Sequence, residues 1–156
     1  MKTVLVATCL MLLAAVQAPE AFAKEVQDYL AEADQYYLEK NFSKAYKIYY
    51  KLAKSGDHYS QDQVSNMNAN GEGLRVNLTE AYAWSVLAAE GGADEMEERR
   101  DLLLPQTNDQ AKAEKRAAKL QKKYGKMVLE ERAKRLERKK LNNQSGVCTG
   151  TRIGCS

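Results

Sequence analysis

Gly71 to Gly92 reads GEGLRVNLTEAYAWSVLAAEGG. Two glycines one residue apart open the stretch and a polar turn follows. From Leu78 the apolar residues recur at helical spacing until Gly91-Gly92 stops them. Glycine ends a helix because it adopts the left-handed conformation without a Cβ clash. Asn77 stands at the cap position with Glu80 three residues on, an Asn version of the capping box. Leu78, Ala81, Tyr82, Trp84, Ala88 and Ala89 form the expected buried side, with Gly71 and Gly73 in the preceding turn.

Shifting the chain by 36 residues lays Asn41-Phe42-Ser43-Lys44-Ala45-Tyr46 on Asn77-Leu78-Thr79-Glu80-Ala81-Tyr82. Ala53 falls on Ala89 and Gly56 on Gly92, and five of the sixteen aligned positions are identical. A period of this length belongs to stacked helical hairpins, since one hairpin cannot bury its own apolar face. The expected fold is all-α, a short α-solenoid of helix–turn–helix repeats with a basic helix at its carboxyl end.

Working outward, Lys24 to Glu39 is an expected helix, with Val26, Leu30, Ala33 and Tyr37 on one side. Phe42 to Lys54 is the next, capped by Asn41 and ended at Ser55-Gly56. Asp57 to Ala69 is rich in Ser and Asn, poor helix formers, and is assigned to helix from its neighbours. Ala93 to Leu104 forms a helix stopped by Pro105. Thr107-x-x-Gln110 is expected to cap a helix running to about Tyr124, with Ala113, Ala117, Leu120 and Tyr124 inward. Gly125 breaks it. Lys126 to Leu141 follows with Leu129, Ala133 and Leu136 as a narrow stripe, and Asn142 to Gly146 is an expected linker.

These residues resemble the Sel-one-like repeat, a relative of the tetratricopeptide repeat. The likeness rests on Gly71-Glu72-Gly73-Leu74, the cap at Asn77, Ala81-Tyr82-Ala83-Trp84 and Ala88-Ala89-Glu90-Gly91-Gly92. It covers roughly Val26 to Tyr124. In the first helix of that unit the family's Ala, Leu, Gly and Tyr positions hold Ser60, Val64, Ser65 and Asn68, and the unit at Lys24 to Gly56 lacks the tryptophan. The resemblance implies helical-repeat packing for Gly71, Gly73, Ala81, Trp84, Ala88 and Ala89. It also implies an exported or periplasmic bacterial scaffold that binds other proteins.

The amino terminus supports export on its own. Lys2 is followed by an uncharged apolar run from Val4 to Val16, and Ala21-Phe22-Ala23 fits signal-peptidase cleavage between Ala23 and Lys24. Residues 1–23 are the expected signal peptide, 24–124 the repeat domain, 125–142 a basic helix and 143–156 a tail. The run is too short to span a bilayer. Once Cys9 is removed with the signal, Cys148 and Cys155 remain, and an oxidising compartment favours their disulfide. Zinc is disfavoured: a site needs about four ligands, and the one histidine, His58, is remote. No cofactor is expected.

A net charge of +3 conceals a division. Residues 24–111 hold 9 basic and 16 acidic residues, while residues 112–140 hold 13 and 4. Such separation marks an interacting tail or internal complementarity. No base–nucleophile pair, phosphate-binding loop or separated carboxylate pair is recognisable, so no enzyme is expected. Two surfaces are candidates for a partner. The tyrosine-rich first hairpin, with Tyr36 and Tyr37, suits a protein interface. The basic helices, with Lys119, Lys122 and Lys123, suit an anionic surface such as lipid, lipopolysaccharide or an acidic polymer. Nucleic acid fits the charge but not an exported protein.

Overall fold

The computed structural model describes the backbone of residues 18–145 and the side chains of residues 25–143. The expected leader sequence up to residue 17 and the cysteines Cys148 and Cys155 lie outside the described residues. Among the described residues seven α-helices follow one another: α1 Ala18–Leu38, α2 Phe42–Ala53, α3 His58–Asn70, α4 Leu78–Ala89, α5 Asp94–Leu103, α6 Gln110–Tyr124 and α7 Lys126–Ser145. A 3-10 turn at Leu104–Gln106 joins α5 to α6, and the described residues contain no strand. The protein is all-α. Helix α1 packs on α2, α2 on α3, α3 on α4, α4 on both α5 and α6, and α6 on α7.

The 36-residue shift is kept to the residue in α2 and α4 and in the starts of α3 and α5. α2 and α4 begin at Phe42 and Leu78 and end at Ala53 and Ala89. α3 and α5 begin at His58 and Asp94, again one period apart. Contacts between neighbouring hairpins cluster at this separation. Arg116 binds Glu80, and the Lys126 amide donates to Glu90 at 2.7 Å, each across 36 residues. Tyr37 donates to Glu72 across 35 residues, and Arg99 to Asp62 across 37. Residues one repeat apart are therefore spatial neighbours, as stacking requires.

One core runs through the helices, formed by Ala33, Ala45, Tyr49, Ala53, Val64, Met67, Ala81, Trp84, Leu87, Leu103, Ala113, Ala117 and Leu120. Of the sequence-assigned repeat-packing residues, Ala81, Trp84, Ala88 and Ala89 are buried. Gly71 caps the end of α3 at φ 75. Gly73, at φ 78, lies against the first turn of α2, where an added Cβ would come within 2.8 Å of the Phe42 carbonyl carbon. That residue must lack a side chain both for its backbone conformation and for its neighbour.

Helix α3 is held by buried polar groups. Gln61 donates to the Ala53 carbonyl at 3.0 Å, and Ser65 donates to the Ala81 carbonyl at 2.8 Å. The Asn68 carbonyl accepts from the Asn77 amide at 2.8 Å and closes the turn into α4. Asp57 caps α3 through the Ser60 amide at 2.7 Å. Small polar side chains bonded to neighbouring backbone offset the weak helix propensity of this segment.

Several terminal assignments are corrected. α1 is helical from the first described residue, Ala18, so residues ahead of Lys24 belong to it as well. It passes through the expected Ala23–Lys24 junction. Asn41 makes no side-chain cap, whereas Asn77 caps α4 by accepting from the Glu80 amide at 3.1 Å. The capping box there is half formed, because the Glu80 carboxylate turns to Arg116. Asp109, not Thr107, caps α6 by accepting from the Lys112 amide at 2.9 Å. The Thr107 hydroxyl instead donates to the Leu104 carbonyl. α7 continues through Asn142 to Ser145, where a linker is expected from composition. Its stripe is open to solvent at Leu136, which is 59% exposed. No helix among the described residues is long and apolar enough to cross a membrane.

Candidate protein interface

Side chains connect alternate helices, so the molecule has two rows. The hydroxyl of Tyr59 in α3 donates to Asp34 in α1, and Arg99 in α5 bonds Asp62 in α3, giving an odd row of α1, α3 and α5. Ring contacts join α2, α4 and α6 into an even row.

The even row carries a chain of aromatic rings. Tyr46 and Tyr50, one turn apart in α2, stack with centroids 5.7 Å apart. Tyr50 meets Trp84 edge-on at 5.5 Å, and Trp84 stacks on Tyr124 at 6.0 Å. Trp84 is buried, while Tyr46, Tyr50 and Tyr124 are half-buried. The Lys54 ammonium sits 4.7 Å over the Tyr50 ring and that of Lys123 sits 5.1 Å over Tyr124. Such placement is favourable because the ring face is electron-rich. Arg116 forks onto both Glu80 oxygens at 2.5 and 3.0 Å, and this bond holds its guanidinium proton more firmly than usual. Among the described residues every ion pair uses arginine, and no lysine ammonium forms one.

The tyrosines of the first hairpin are engaged within the fold. Tyr37 donates to Glu72 at 2.9 Å and meets Phe42 edge-on at 5.2 Å. Burial first, then that hydrogen bond, raises its hydroxyl above the ordinary tyrosine range. Tyr36 lies beneath the Lys44 ammonium at 4.9 Å. Tyr49 and Tyr59 both donate to one Asp34 oxygen, at 2.5 and 3.0 Å. Burial and this shared acceptor push both hydroxyls up.

Lys119, Lys122 and Lys123 are exposed on α6, but the structure separates them. Lys119 lines a cleft of about 260 Å³ with Lys112, Lys115, Arg116, Asn77, Thr79 and Glu80, at the start of α4. Lys122 lines a more apolar cavity of about 480 Å³ between α6 and α7, with Met127 and Val128. Lys123 belongs to the ring row. Sequence reasoning missed Tyr50, Arg116 and Tyr124 as one surface. The 36-residue period was the signal, since it predicts that Glu80 and Arg116 adjoin.

Charge follows the rows. α1 has five acidic residues and one basic, α5 has five and two, and α3 has only Asp62. On the even row α2 has three lysines and no acid, α6 has six basic residues and one acid, and α4 has only Glu80. The rows thus sort charge differently from chain position, since α2 lies inside the acidic stretch yet is basic like α6. Among the described residues no three His, Cys, Asp or Glu side chains gather as metal ligands would. Comparison with family models, with curated proteins and with solved structures finds no match to this chain.

Proposed function

We propose that this chain is an exported, non-catalytic protein-interaction module, a short solenoid of Sel-one-like repeats acting in the periplasm or outside the cell. One observation carries the reading: the even row presents half-buried tyrosines beside lysines whose ammonium groups form no ion pair among the described residues. Aromatic groups supply contact area at low entropic cost, and cations choose the sign of the partner. The 36-residue period and the apolar leader add support. Tyr36 and Tyr37 lie on α1 of the odd row, half-buried beside α2, and stay in the reading as a second candidate patch.

The test is capture from a periplasmic extract by the immobilised chain. A variant with Lys119→Glu and Lys123→Glu is expected to lose at least about tenfold in retained partner; Tyr36→Ala with Tyr37→Ala is expected to lose less. Equal capture by all three would defeat the proposal.

A second reading, binding to an anionic envelope surface, is favoured by α7. Its seven basic and three acidic residues lie on a helix that is exposed from Glu130 to Asn143. Sedimentation with anionic vesicles at low and high salt separates the two, because electrostatic attachment weakens as salt screens it.

A further inference from the structure

The two rows carry matching patterns of opposite sign. On α1, Glu25, Asp28 and Glu32 are exposed at positions i, i+3 and i+7. On α5, Asp94, Glu97 and Asp101 are exposed at the same spacing. The even row repeats it in lysine, with Lys44, Lys47 and Lys51 on α2 and Lys112, Lys115 and Lys119 on α6, all exposed. Each triad lies along one helix side over roughly 10 Å. In each row the two charged ridges flank a middle helix with a single acidic residue, Asp62 in α3 or Glu80 in α4. The ridges of both rows are therefore two repeats apart.

We propose that the acidic odd row of one copy docks on the basic even row of a second copy. This rests on the even row being a protein-binding face, and it names the partner. Charge complementarity and equal ridge spacing argue for a second copy over an unrelated acidic protein, since both halves of the match lie on this chain. Because the joined surfaces differ, the contact is heterologous. Copies add in series unless the rotation between them closes a ring.

The experiment is sedimentation velocity of the full chain over a concentration series at about 0.1 M and about 1 M salt, where the screening length falls from about 10 Å to about 3 Å. Association is expected at the lower salt, with the dissociation constant rising at least about tenfold at the higher. Two charge-reversed variants extend it: Lys44→Glu, Lys47→Glu and Lys51→Glu in one, and Glu25→Lys, Asp28→Lys and Glu32→Lys in the other. Each alone is expected to be monomeric, and mixing them is expected to restore association, which two misfolded chains would not do. A monomeric wild-type chain at both salts, or variants that associate as the wild type does, overturns the proposal. If the wild type is monomeric yet lysine reversal abolishes capture of a different protein, self-docking falls and the protein-binding face stands. If only anionic vesicles are bound, both fall.

Discussion

Helices α2 and α4 occupy equivalent places in successive repeats, yet they differ in nearly every environmental respect. α2 has an Asn41 that makes no side-chain cap, three exposed lysines and the half-buried Tyr46 and Tyr50. α4 has a capped Asn77 and an almost wholly buried surface around Trp84. The identical alanines, Ala45 with Ala81 and Ala53 with Ala89, are buried in both, while the identical pair Tyr46 and Tyr82 is half-buried in α2 and buried in α4. Shared sequence thus fixes helix register and close approach, while neighbours on both sides of α4 decide how much else is buried.

The largest test of that contrast pairs Trp84 with Ile48, one period apart. Trp84→Ala is expected to destabilise by about 3–5 kcal/mol, since it empties a buried site between the rings of α2 and α6. Ile48→Ala, at a half-buried position, should lose about 1–2 kcal/mol. Urea unfolding of both variants measures the difference; equal losses would break the contrast.

Tyr49 and Ser85 form the next pair, and here the outer copy is the more costly to alter. Tyr49→Phe removes a hydrogen bond to a carboxylate and should destabilise by about 1.5–3 kcal/mol. Ser85→Ala removes a bond to a carbonyl of its own helix, with an effect of about 0.5 kcal/mol. The same site gives a pH dependence. Burial and Asp34 raise the Tyr49 hydroxyl above its unfolded value near 10, so the fold favours the protonated form. That stabilisation is complete below about pH 10 and is lost as pH rises beyond it. Thermal melts across the alkaline range should show a smaller decline in Tyr49→Phe than in the wild type.

Glycines provide a finer comparison. Gly73→Ala should cost about 1–3 kcal/mol for its left-handed backbone, with more from the nearby α2 backbone. Gly92, at φ 78 with open space around it, should cost about 1–2 kcal/mol as alanine. Chemical denaturation ranks the two, and a reversed order would show that the turn into α4 does not press on α2. Smallest is the cap pair. Asn77→Ala should lose about 1 kcal/mol, and Asn41→Ala less than about 0.5 kcal/mol. Differential melting distinguishes them.

The repeat register was legible because glycine and alanine are required wherever backbones approach or reverse, and such demands recur with the period. Helix α3 was harder to read. Gln61, Ser65 and Asn68 look like loop residues until the carbonyls of Ala53 and Ala81 stand beside them. Thr107 was a plausible cap, but Asp109 is placed to accept the Lys112 amide, and local sequence does not rank two adjacent cap formers. Tyr36 and Tyr37 were visible as an aromatic cluster, but their engagement with Lys44, Glu72 and Phe42 needs the folded chain. The charge triads were present as letters, whereas their separation into opposite rows required knowing which helices alternate.

Helix α7 begins where the Glu90 carboxylate holds the Lys126 amide, and Leu129 reaches Gly56 one turn later. Beyond that the helix is exposed to Asn143, over an overall length of about 30 Å. An isolated helix of this size is marginal in water, so the free energy of opening each peptide group must fall from the base towards the tip. Amide exchange along α7 would then run as a graded clock, slow beside Leu129 and fast near the end, with any ligand that grips the tip slowing its far end first.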